Sequence, residues 1–193
     1  MSSTVQIRFS GAGGQGLITA GVILAEAAMR DGQNVVQTQT YGPEARLGSS
    51  KAELIISDGV IAYPEVITPD ILLCLSAEAA RRYGQRVRPD TLVLFDSTNV
   101  PDDVTSPGKV VRLPITQTAI QVGSKVVANT VALGVLNTLA SLVPPATLAD
   151  AVAQRVPPRF KDLNQRALTA GEQLVETATP PPASKPTPSL TVI

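Results

Sequence analysis

The chain of 193 residues has no histidine, no tryptophan, one cysteine and no excess charge of either sign, with 16 basic and 16 acidic side chains. Each absence excludes a class of chemistry. Without imidazole there is no histidine general base, no histidine metal ligand and no Ser-His-Asp or Cys-His group. A lone cysteine forms no intramolecular disulfide and does not ligate an iron–sulfur cluster by itself. Cys74 lies in the apolar run Ile71-Leu72-Leu73-Cys74-Leu75, where burial disfavours the reactive thiolate, so it reads as a small core residue. Zero net charge gives no electrostatic reason to expect nucleic acid or an anionic membrane as partner. The longest apolar stretch, Val126 to Val143, is interrupted by Asn129, Thr130, Asn137, Thr138 and Ser141. It reads as a buried or interfacial helix rather than a membrane span. Met1-Ser2-Ser3-Thr4 lacks the charged region and cleavage site of a signal peptide, so a cytoplasmic location is expected. No catalytic residue and no metal ligand is assigned to this chain.

What is present is an α/β pattern. Val5–Phe9 is a short β-prone run, followed by Gly11-Ala12-Gly13-Gly14-Gln15-Gly16 and an uninterrupted helical pattern from Leu17 to Arg30. Asp31-Gly32 stops that helix, and Asn34–Thr38 reads as a second strand. Together they form one βαβ unit with a right-handed crossover. Further strands are expected at Lys51–Ser57, Ile71–Leu75, Thr91–Phe95 and Lys109–Leu113. Asp58-Gly59 has the chemistry of a hairpin turn, with Val60–Tyr63 pairing back on the strand before it. Helices are expected at Ala77–Tyr83, from Thr116 to Leu142 with a possible break at Gly123 or Gly134, from a Thr147 cap to Val156, and at Phe160–Thr177. The expected fold is a single Rossmann-like α/β domain, residues 1–178, with an open, mostly parallel sheet and flanking helices. Residues 179–193 hold five prolines among Thr, Ser and Ala, and read as an extended tail.

Gly11, Gly13 and Gly16 satisfy G-x-G-x-x-G between a strand and a helix. There glycines permit a tight turn, and exposed N–H groups at the helix N-terminus favour phosphate. Gly11, Gly13, Gly14, Gln15 and Gly16 are therefore candidate cofactor-binding residues. NAD is disfavoured, because Val35-Val36-Gln37-Thr38-Gln39-Thr40 carries no acid to bind a ribose. A phosphate-bearing ligand, a docked protein chain, and plain strand–helix packing all remain open for the loop. A second dense stretch, Thr40 to Ser50, follows strand two, where α/β proteins place ligand or partner contacts. Two residues apart in an extended segment, Glu44 and Arg46 would point to opposite sides, leaving Arg46 to reach a phosphate or carboxylate.

Taken together these segments resemble the gamma subunit of 2-oxoacid:ferredoxin oxidoreductases. The resemblance rests on Gly11–Gly16, Thr19-Ala20-Gly21 and Leu24-Ala25-Glu26-Ala27. It continues through Tyr41-Gly42-Pro43-Glu44-Ala45-Arg46, Ser57-Asp58, Ile61-Ala62-Tyr63-Pro64 and Pro69-Asp70, and ends with Asn129 and Gly134. One position departs: Leu47 stands where the family commonly has the first glycine of Arg-Gly-Gly-x-Ser, so a backbone conformation reserved for glycine is not expected there. The resemblance implies a non-autonomous subunit of a complex that oxidatively decarboxylates a 2-oxoacid to an acyl-CoA and passes electrons to ferredoxin or a related acceptor. It implies alpha and beta partner subunits and a ferredoxin-like one, which carry thiamine diphosphate, Mg and [4Fe–4S] clusters. The implied role of this chain is structural and on the CoA side, with Tyr41, Gly42, Pro43, Glu44, Arg46, Ser49 and Asn129 at the interface or near CoA. The competing readings are an independent Rossmann-type nucleotide-binding enzyme and a purely structural subunit.

Overall fold

The structure, a computed structural model, describes residues 4–39 and 49–178. The strands are β1 (Thr4–Ala12), β2 (Asn34–Gln39), β3 (Ser49–Ser57), β4 (Ile71–Cys74), β5 (Leu92–Asp96) and β6 (Lys109–Leu113). The helices are α1 (Leu17–Arg30), α2 (Ala77–Tyr83), α3 (Ile115–Val122), α4 (Ala128–Ala140), α5 (Pro145–Arg155) and α6 (Lys161–Ala178). The six strands form one sheet in the order β2-β3-β1-β4-β5-β6. β1, β4, β5 and β6 are parallel to one another, and β3 runs antiparallel to both β1 and β2.

Two expectations change here. β1 and β2 run in the same direction, but β3 lies between them, so they do not pair as neighbours in a simple βαβ unit. Nor does Val60–Tyr63 pair back on β3. Both edges of β3 are already taken, with Ser57 paired to Thr4 on one side and to Asn34 on the other. No edge is left for a hairpin after Asp58-Gly59, and Val60 is 93% exposed.

Side-chain alternation gives the sheet two unlike faces. Ile7, Phe9, Ala52, Leu54 and Ile56 point to one face and pack in a large core with α1, α3, α4, α5 and α6. The other face is covered over β4 and β5 by α2 and by Val100 and Val104 of an irregular segment. Arg8 and Glu53 sit on this second face and pair at 2.6 Å, both more than nine-tenths buried. Lys51 joins Glu53 at 3.2 Å, and the second Arg8 contact is the Val66 carbonyl at 2.6 Å. These polar bonds hold the 58–70 segment against the sheet.

The long helix expected over 116–142 is two helices. Gly123, at φ +139°, ends α3, and a 3-10 turn over Lys125–Val127 leads into α4. Gly134 does not break α4. A Cβ there would strike the Leu168 carbonyl, and one on Gly171 would strike the Val131 carbonyl. The two glycines let α4 and α6 approach backbone to backbone. Pro144 and Pro145, not Thr147, start α5, since proline at the first helical position gives up an N–H that has no partner there anyway.

Candidate functional site

β1 feeds α1 on one face of the sheet, and its neighbour β4 feeds α2 on the other. The crevice between their C-terminal ends is therefore the topological switch point, where open α/β sheets bind ligands. The glycine loop fills that position. Gly11 and Ala12 are still part of β1, paired to Ser50 and Ser49 of β3. The turn proper is Ala12 to Gln15, closed by the Gln15 N–H on the Ala12 carbonyl at 3.3 Å.

Gln15 braces this turn. Its Oε1 accepts the Ala12 N–H at 2.6 Å, and its Nε2 donates to the Leu75 carbonyl beyond β4 at 3.0 Å. The side chain thus stitches the ends of β1 and β4 together, and both of its polar ends are spent on backbone. A side chain at Gly11 would collide with that same Gln15 oxygen. Gly16, at φ +72°, is the N-cap of α1 in a left-handed conformation, and no side chain caps the helix. Its carbonyl accepts the Ala20 N–H at 2.9 Å and Asn129 Nδ2 at 3.2 Å. Asn129, in the first turn of α4, is nine-tenths buried and locks the loop from the neighbouring helix.

Gly13 and Gly14 are exposed at the tip, and a Cβ on either would meet nothing within 4 Å among the described residues. An uncapped helix start, an exposed glycine turn and braces on both sides make a cradle suited to an anion. Of the residues expected to form the site, Gly11, Gly13, Gly14, Gln15, Gly16 and Asn129 come together here. Gln15, expected among the cofactor-binding residues, spends its side-chain amide on the Ala12 N–H and the Leu75 carbonyl. Tyr41, Gly42, Pro43, Glu44 and Arg46 lie outside the described residues, as does the 179–193 tail and the side chain of Ser49. The chain leaves the described sheet at Gln39 and re-enters at Ser49, and both lie at the same end of the sheet as the cradle, with Ser49 paired to Ala12.

Two polar centres of the fold were not singled out from the sequence. Asp96, fully buried at the end of β5, accepts from Asn99 Nδ2 at 2.7 Å, Thr116 Oγ1 at 2.6 Å and the N–H groups of Thr98 and Thr116. It ties the β5 loop to the start of α3 along the same rim. The buried Arg8–Glu53 pair is the other. Its signal was weak: Arg8 and Glu53 are each flanked on both sides by apolar residues, Ile7 and Phe9 for one and Ala52 and Leu54 for the other. Among the described residues no group of three or more His, Cys, Asp and Glu side chains is placed to hold a metal, and no helix is long and apolar enough to cross a membrane.

Comparison with known proteins places this arrangement. The chain matches the pyruvate ferredoxin/flavodoxin oxidoreductase family over residues 6–174. It is 41% identical to the 2-oxoglutarate synthase subunit KorC of Methanocaldococcus jannaschii, over 89% of this chain and 94% of that one. The crystal structure of a keto/oxoacid ferredoxin oxidoreductase gamma subunit from Geobacter sulfurreducens superposes with a TM-score of 0.79 and 43% identity, over 90% of this chain and 99% of that one. The fold also recurs, at 24% identity and a TM-score of 0.81, in a 2-oxoglutarate:ferredoxin oxidoreductase from Magnetococcus marinus solved with 2-oxoglutarate, coenzyme A and succinyl-CoA. There it matches 91% of this chain and 32% of the longer one. The chain therefore belongs to the pyruvate ferredoxin/flavodoxin oxidoreductase family, as a gamma subunit of the 2-oxoacid:ferredoxin oxidoreductases.

Proposed function

We propose that this gamma subunit serves a complex that oxidatively decarboxylates 2-oxoglutarate to succinyl-CoA, and that its glycine cradle receives a phosphate of CoA. The observation that carries this reading is the open Gly13–Gly14 tip at the switch point, braced by Gln15 and Asn129 and backed by the uncapped start of α1. Backbone N–H groups there bind an anion without any ionisable side chain. Thiamine diphosphate with Mg and the [4Fe–4S] clusters belong in this reading to the alpha, beta and ferredoxin-like partners, since one buried cysteine and no histidine leave this chain without ligands for a cluster. Thiamine chemistry supplies the decarboxylation, and the partners carry the electrons to ferredoxin or a related acceptor. The contribution of this chain is to bind and orient the acyl acceptor. The choice of 2-oxoglutarate follows the relatives of 39–41% identity that are 2-oxoglutarate synthase subunits and align over 88–89% of this chain. A cytoplasmic location is part of the same reading.

An independent dinucleotide-binding enzyme is not favoured. β2 itself contains no acid and is separated from β1 by β3, so among the described residues β2 offers no carboxylate to a ribose over the glycine loop. The assembled complex, screened with CoA against 2-oxoglutarate, pyruvate, branched-chain and aromatic 2-oxoacids, tests the substrate. 2-Oxoglutarate is expected to exceed the others in kcat/KM by about tenfold or more; a preference for another oxoacid refutes that choice. For the CoA side, Arg46→Ala is expected to weaken CoA binding by about 1–3 kcal/mol, the scale of a charge-assisted hydrogen bond. An unchanged KM for CoA removes Arg46 from the site.

A further inference from the structure

The two edges of the sheet are built differently. The β6 edge carries Lys109 and Arg112, the kind of charge that blocks strand addition. Arg112 is also spent on the carbonyls of Val100, Pro101 and Val104, which strap an irregular segment alongside. The β2 strand carries no such charge. Asn34-Val35-Val36-Gln37-Thr38-Gln39 contains no charge and no proline. Its register with β3 runs without a bulge from Asn34 opposite Ser57 to Gln39 opposite Ala52. For Asn34–Thr38 no further strand lies on the outer side among the described residues. Val35 and Val36 are only partly buried. An unblunted, neutral, β-branched edge is a template for another strand.

We propose that this edge pairs with the same edge of a second copy of the chain, joining two six-stranded sheets about a two-fold axis through Val36. Three features of the strand select a copy of itself. A two-fold antiparallel pair sets residues of the same face opposite one another, here Val36 on Val36, Val35 on Gln37 and Asn34 on Thr38. A charged strand would meet its own charge in such a pairing; this one meets amides, a hydroxyl and apolar groups. The face also suits it. Val35 packs on the helix side with the main core, and Gln37 lies under Gly21 of α1, so Val36 and Thr38 face the opposite side, where no described helix covers them. Finally, an isologous pair of β2 strands closes on itself, whereas β2 against the charged β6 edge of a neighbour would propagate into a filament.

Disulfide trapping reads this directly. In antiparallel pairs opposed Cα atoms lie about 4.5–5.5 Å apart, within the span of a disulfide. Val36→Cys should therefore cross-link the full-length chain to itself under mild oxidation, both alone and in the purified complex, while Val60→Cys, far more exposed, should not. The buried native Cys74 stays out of the reaction. The unoxidised chain should also sediment as a dimer, and Val36→Lys should return it to monomer with its far-ultraviolet spectrum unchanged. The proposal is overturned if Val36→Cys cross-links no faster than Val60→Cys, or if the chain stays monomeric at about 100 μM, far above a micromolar Kd. It is equally overturned if the β2 amides become protected from exchange only when the partner subunits are added.

Discussion

Gly13 and Gly16 stand three residues apart and respond in opposite ways to a methyl group. At Gly16 a side chain is strained by the left-handed backbone and meets Asn129 Nδ2 at 2.6 Å. Gly16→Ala is expected to cost about 1–2 kcal/mol from backbone conformation alone, visible as a melting temperature lower by a few degrees. At Gly13 the same methyl meets nothing among the described residues, so Gly13→Ala should leave stability unchanged. A thermal melt of both variants checks the contrast, and equal losses at the two positions would contradict the described loop. Cys74 makes a different prediction. Burial pushes its thiol up to about 12, against smaller opposing effects from the Ser10 hydroxyl and the Arg8 charge. The thiol is neutral at physiological pH, so alkylating reagents should label it only after denaturation. A raised acid pKa in the folded state means that its contribution to stability is complete below the unfolded thiol pKa of 9.0 and is lost as pH rises toward 12. Fast labelling of the native chain at pH 8 would contradict this burial.

Among the elements, the α4–α6 crossing and the Arg8–Glu53 pair tolerate little change. Gly134→Ala or Gly171→Ala drives a methyl into a facing carbonyl that belongs to helix backbone and does not swing aside. Overpacking of this kind costs about 1–3 kcal/mol and sometimes more, and a denaturant midpoint checks it. Glu53→Ala strands Arg8 in the interior, at a cost of about 3–5 kcal/mol for a buried pair broken on one side. These elements also mark what could be read from the chain. α1, α2 and β6 match the sequence expectation residue for residue, because each has strong local punctuation: Gly16 and Asp31 around α1, Ser76 before α2, Gly108 before β6. The site was legible in part. The glycine loop has a local signature, but the bond from Asn129 to Gly16 spans 113 positions, and no periodicity reports it. The partners of β3 escape the sequence for the same reason. Strand pairing is a long-range choice, and a turn signal such as Asp58-Gly59 cannot say that both edges of β3 are already occupied.

At the scale of the whole molecule, the inserted antiparallel β3 separates this fold from a dinucleotide-binding one more clearly than the missing acid does. It keeps the glycine loop at the switch point while moving β2 one strand further out. The starting inventory, with no histidine and one cysteine, is consistent with the proposed role of holding an acyl acceptor for chemistry carried out by partner subunits. Gly13→Val in the assembled complex tests this most directly, because the loop tip has room for the side chain and the fold does not depend on it. The expected result is intact assembly, an unchanged KM for 2-oxoglutarate, and a KM for CoA raised about tenfold or more, equivalent to about 1.4 kcal/mol of lost binding. Intact assembly with an unchanged KM for CoA would contradict it, and so would loss of assembly with a normal KM for CoA in the complex that remains, which would make the loop a protein contact.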